Sequence, residues 1–126
     1  MWGESHDAYQ QVYNDDGQVK NEGSFGHELL AGGAAFAGFK AFEDHQRKEG
    51  KTVNHAFAKE LLAGFVGGEV DKLAETKGED FVDREKAKHD AKKNAERMYD
   101  DHYGQYDQYD PNSQQAPGRI QQYGNY

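Results

Sequence analysis

Glu28-Leu29-Leu30-Ala31-Gly32 recurs as Glu60-Leu61-Leu62-Ala63-Gly64, 32 residues further along the chain. Small residues continue past each copy: Gly33, Ala34, Ala35, Ala37 and Gly38 after the first, Gly67 and Gly68 after the second. Around the first copy lie Leu29, Leu30, Phe36, Phe39 and Phe42; around the second lie Phe57, Leu61, Leu62, Phe65, Val66, Val70 and Leu73. Intervals of three and four gather side chains on one face of an α-helix. The first stripe predicts a helix over 25–48, with Ser24 as N-cap and Gly50 as its stop. The second predicts a helix over 55–76, capped by Thr52 or Asn54 and ended by Gly78. A glycine inside a helix costs about 1 kcal/mol relative to alanine. Gly32, Gly33, Gly38, Gly64, Gly67 and Gly68 therefore need a compensating role. Close backbone approach supplies one: the two helices are expected to pack as an antiparallel hairpin at short interaxial distance. A ligand or membrane surface lined by these glycines is the alternative.

A third helix is expected over 79–102. Phe81, Ala87, Ala91, Ala95 and Met98 form a narrow stripe on an otherwise charged segment, with Asp80 and Arg84 at the favourable i,i+4 spacing. An alanine stripe buries little area, so this helix is expected to be the least firmly held. Residues 1–23 are polar, with Tyr9, Val12 and Tyr13 as anchors. His6 to Tyr13 can form a short helix docked on the core, before a turn at Asn14 to Gly17. Residues 103–126 place Tyr103, Tyr106, Tyr109, Tyr123 and Tyr126 among Gln, Asp, Gly and Asn. Such a low-complexity tail is read as disordered, because it offers too little apolar surface to offset its ordering entropy. The expected architecture is all-α: a helical domain over 24–102, built as a glycine-rich hairpin plus a charged third helix, with polar or disordered ends. A bundle this small can complete its core by dimerising.

Composition narrows the function classes. Hydrophobic residues make up 35% of the 126, enough for one modest core. There is no cysteine, so disulfides, thiolate metal sites and cysteine nucleophiles are excluded. The net charge is -8 and no region of the chain is basic overall, which gives nucleic acid no electrostatic footprint. Met1 to Lys20 holds neither an apolar run nor a basic leader. Leu29 to Phe42 is too short to span a bilayer, which takes about 20 apolar residues. A cytoplasmic protein is expected, with membrane association disfavoured.

Candidate chemistry is sparse. In the expected hairpin, His27 and Glu28 would lie beside Asp71 and Glu75, a set that could hold a metal ion. The Glu-x-x-His of di-iron bundles and the His-Glu-x-x-His of zinc proteases are both missing. The bland reading is a histidine bonded near a helix start. Glu85 and His89 at i,i+4 could be an acid–base pair, but on so charged a helix they read as a solvated pair. The basic run Lys86 to Arg97 is diluted by flanking acids and reads as a solvated face. The tail tyrosines could stack on bases or associate with one another. No catalytic residue and no cofactor is expected.

Gly26-His27-Glu28-Leu29-Leu30-Ala31-Gly32-Gly33-Ala34-Ala35-Phe36, followed by Phe42-Glu43-Asp44-His45, resembles the fungal concanamycin-induced protein C family, the CipC-like antibiotic-response proteins. His55 to Phe65 and Glu75 to Ala87 continue the likeness, which covers about residues 5–100. The resemblance implies a small cytoplasmic protein induced by stress, antibiotic or growth on a host. It carries no catalytic residue across, and the Tyr-rich tail departs from the family pattern in length and composition. The expected function is non-enzymatic, through contacts with an unknown protein partner or with a second copy. A metal- or small-ligand-binding helical protein is the second reading, and a membrane-active small-residue hairpin the third.

Overall fold

Leu30 to Phe39 can be buried on every side because eight of its ten residues are glycine, alanine or leucine-sized at most, leaving room for neighbours all round. In the computed structural model, which describes residues 2–14, 16–20, 26–77 and 84–124, this run forms the centre of α2 (His27–Glu49). Three helices pack on α2: α1 (Trp2–Val12), α3 (His55–Lys77) and α4 (Arg84–Tyr103). A short α5 (Gly118–Gln121) completes the bundle. Two isolated antiparallel bridges, Tyr13 with Val19 and Val53 with Tyr109, join its loops.

The ends of α2 follow from local chemistry. Gly50 takes a left-handed conformation at φ 69° and returns its N–H to the Gln46 carbonyl, the stop expected of glycine there. The start differs from expectation. Gly26 occupies the N-cap with no side-chain cap, and Ser24 lies outside the described residues. Five residues then lead into α3, whose N-terminus is capped by Asn54: its Oδ1 accepts from the Phe57 N–H at 2.7 Å.

α3 turns Ala58, Leu62, Val66, Val70 and Leu73 into the core. Phe57, expected to share that face, is 48% exposed, and Leu61 and Phe65 are only half-buried. The helix carries apolar residues on both sides, and the bundle covers one.

The glycines divide by neighbour. A Cβ on Gly38 would stand 2.5 Å from Val66 Cγ2 and 2.6 Å from its Cα, so α2 and α3 meet backbone to backbone there. Gly32 and Gly33 instead face α1, with Ala8 at 3.3 and 3.4 Å from their hypothetical Cβ atoms. Gly67 lies under the Lys92 side chain. Gly64 and Gly68 face open space, which corrects the expectation that they too line the hairpin seam.

α1 is longer than the expected His6 to Tyr13 segment. It buries Ala8, Tyr9 and Val12, and Gly17 turns the chain at φ 84° after it. α4 buries Ala87, Ala91, Ala95 and Met98 as its pattern predicts, then adds Tyr99 and Tyr103. The aromatic pair supplies the area that the alanines lack. Phe81, Asp80 and Gly78 lie outside the described residues.

The largest departure is the tail. Residues 104–124, expected to be disordered with the rest of 103–126, lie across the bundle. Tyr109 and Ile120 are fully buried, and Tyr123 packs edge-on to Phe36 at 5.7 Å. Asn112 donates to the Gly50 carbonyl at 2.8 Å, and the Val53–Tyr109 bridge pins the tail to the α2–α3 loop. The physical reason is that tyrosine carries a large apolar ring as well as a polar tip. Its composition counts as polar while its ring fills a core.

Candidate functional site

The outward face of α3 is where the fold leaves apolar surface uncovered. Phe57, Leu61, Gly64 and Gly68 follow at i, i+4, i+7 and i+11, so they form one line along the helix of about 16 Å. That line lies opposite the buried Leu62, Val66 and Leu73. Phe57 is one of two large exposed hydrophobics among the described residues. The other, Tyr106 at 41% exposed, belongs to the tail segment held beside the start of α3. His55 makes that junction. Its Nε2 donates to the Tyr106 carbonyl at 2.6 Å, which fixes the tautomer, so Nδ1 accepts from the Tyr99 hydroxyl at 2.7 Å. The upper end of the α3 face is thus braced by α4 and the tail together.

Beneath it lies a polar cluster that sequence reading missed. Glu43 is fully buried on α2. Tyr109 donates to its Oε1 at 2.7 Å, and Tyr103 donates a short hydrogen bond to its Oε2. Arg47, one turn on, stands 3.6 Å from the same carboxylate. The guanidinium also donates to the Tyr103 hydroxyl at 3.0 Å and to the Pro111 and Gln114 carbonyls at 3.0 and 2.9 Å. Burial pushes the Glu43 carboxyl up, against the opposing pull of Arg47 and the two tyrosines. Burial first, and then the Glu43 charge, push both tyrosines far above their ordinary range. Both Glu43 oxygens and both tyrosine hydroxyls have a partner, so the cluster reads as a structural clamp on the tail. A signal existed in the sequence: Glu43 falls one and two turns after Phe39 and Phe36 on the apolar stripe, where an acid requires partners.

The candidate metal residues are dispersed. His27 Nε2 bonds Asp90 Oδ2 on α4 at 2.8 Å, and this bond is the main cause of the lowered Asp90 carboxyl. Asp71 pairs with Lys88 at 3.0 Å. Glu28 and Glu75 are exposed, and neither is bonded to His27. Among the described residues no three His, Cys, Asp or Glu side chains are grouped to hold an ion. His45 and His55 pack their rings against Phe65 and Tyr99. Of the basic run, Lys88 serves the Asp71 pair and Lys92 covers Gly67. No described helix is long and apolar enough to cross a membrane.

No curated protein and no solved structure matches the chain. A family model described as "Virulence factor CipC-like" matches residues 8–102, from the second half of α1 to the last turn of α4, and leaves out the tail beyond His102. The chain therefore belongs to the Virulence factor CipC-like family.

Proposed function

We propose that this is a non-enzymatic, stress-induced cytoplasmic protein that acts through protein contacts, first of all with a second copy of itself across the outward face of α3. One observation carries the reading: Phe57, Gly64 and Gly68 stand exposed in a line on the side of α3 opposite its buried residues, with the half-buried Leu61 among them. A helix apolar on both sides is normally buried on both sides. Two glycines that no neighbour crowds cost about 1 kcal/mol each relative to alanine, and nothing inside the monomer offsets this. The line is also self-complementary. About a two-fold axis between residues 62 and 63, antiparallel copies set Phe57 over Gly68 and Leu61 over Gly64. Large side chains then fall into the places where backbone is bare, an isologous arrangement. Stress induction rests on the family resemblance.

Sedimentation velocity across a wide concentration range tests this. A dimer that Phe57→Ser converts to monomer, with helical content unchanged, is the expected result. A wild-type chain that stays monomeric at every concentration would sink the reading.

A further inference from the structure

α1 and α4 both pack on the first half of α2, and between them they leave a groove of about 590 Å³. Its floor is Ala31 and Gly32, small enough to keep it deep, and its walls are polar. Volumes of roughly 300–1,000 Å³ are typical of small-molecule sites. Three features of the walls point to an occupant.

Ser5 lines the groove from α1. It is only 4% exposed, and its hydroxyl has no hydrogen-bond partner among the described residues. At the head of the groove the His27 Nδ1 is buried with no hydrogen-bond partner among the described residues, a state that buried polar atoms rarely keep. Lys93 and Arg97 line the opposite wall, one turn apart on α4, with Asn94 between them. Neither cation has an ion pair among the described residues, although Asp90 on the same wall is paired with His27. At the head of the groove, α2 begins at Gly26 without a side-chain cap, so its first-turn N–H groups are open donors. Glu28 lies beside them, also without a partner.

These groups sort by sign. Lys93, Arg97 and the α2 amides suit a carboxylate. Glu28 suits a hydrogen-bond donor at the ligand's other end, and Ser5 and Asn94 serve either. Glu4, Glu28 and Asp90 together oppose a polyanion, which sets a phosphate-rich ligand aside. We propose that the groove between α1, the head of α2 and α4 binds a small organic carboxylate that also carries an amine or amide. The site rests on none of the α3 residues, so it stands or falls apart from self-association.

The test is an amide NMR titration of the isotope-labelled full chain with three probes in parallel: glutamine, pentanoate and inorganic phosphate. Glutamine should give saturable shifts confined to Ser5, His27 to Gly32 and Lys93 to Arg97. Pentanoate should bind the same residues more weakly. Arg97→Gln, a surface change, should weaken glutamine by about tenfold or more through loss of a charge-assisted contact, and Ser5→Ala should weaken it less. Three results would overturn the proposal: no saturable shift with either carboxylate, saturation by phosphate alone, or glutamine shifts unchanged by Arg97→Gln and Lys93→Gln combined.

Discussion

Gly38 and Val66 meet with no side chain between their helices: a Cβ on Gly38 would stand 2.6 Å from Val66 Cα and 2.8 Å from its nitrogen. Backbone cannot step aside as a flexible side chain can. Gly38→Ala is therefore expected to destabilise the chain by about 1–3 kcal/mol through overpacking, despite alanine's better helix propensity. Urea denaturation measures it, and an unchanged midpoint would contradict the seam.

Gly68→Ala is expected to act in the opposite direction. Its Cβ would meet open space, so the dilute monomer gains about 1 kcal/mol from propensity. The same methyl group would stand where the Phe57 ring of a second copy is placed. Denaturation at low concentration should show the gain, while sedimentation at high concentration should show weaker association. The two readouts moving in opposite senses is the signature.

The Glu43 clamp predicts a graded series. Glu43→Leu removes the acceptor of two buried tyrosines and the partner of Arg47, and should cost about 3–5 kcal/mol. Tyr109→Phe keeps the ring in the core and removes one donor, and should cost about 1–3 kcal/mol. Both should speed hydrogen exchange at Val53 and Tyr109, whose amides bond each other's carbonyls at 3.0 and 2.9 Å.

Deleting residues 104–126 is expected to do more than shorten the chain. It would bare Phe42 and Tyr103 and leave Glu43 without Tyr109. Cooperative thermal unfolding and the near-ultraviolet dichroism of the buried tyrosines should be lost. An unaltered melt would show that the tail is an accessory.

His6 gives a pH dependence whose sign follows from its partners. Arg119 donates to its Nδ1 at 3.1 Å, so the ring is neutral with Nε2 donating to the Tyr123 hydroxyl at 2.8 Å. Burial first, then the Arg119 charge, lower its pKa from 6.5, with Asp7 pulling the other way. The unfolded chain then takes up the proton more readily. This contribution to stability is complete above 6.5 and is lost as pH falls through that value towards the folded pKa. An NMR titration should place the His6 midpoint below 6.5, and Arg119→Gln should raise it.

The hairpin was legible because Leu62, Val66, Val70 and Leu73 repeat at helical spacing and Gly50 and Asn54 mark the ends on either side of the loop. The charged helix was legible from Ala87, Ala91 and Ala95. Phe57 misled, because periodicity reports that a residue is apolar without reporting which side has a neighbour. The tail was illegible for a different reason. Tyr109 and Ile120 have no periodic companions, and the Tyr109 hydroxyl finds its partner in Glu43, 66 residues away. The candidate metal residues shared an end of the expected hairpin, but α4 supplied His27 and Asp71 with other partners. Helical spacing on α2 and α3 alone could not reveal that.

The Glu43 clamp also orders events in time. Tyr103 and Tyr109 follow Glu43 by 60 and 66 residues, and synthesis at roughly 5–20 residues per second delays them by about 3–13 s. Throughout that interval α2 carries an acid on its apolar face with no tyrosine to receive it. The nascent hairpin is thereby kept wet at one end until Tyr103 and Tyr109 arrive, so the bundle dries its core only after both tyrosines have been made.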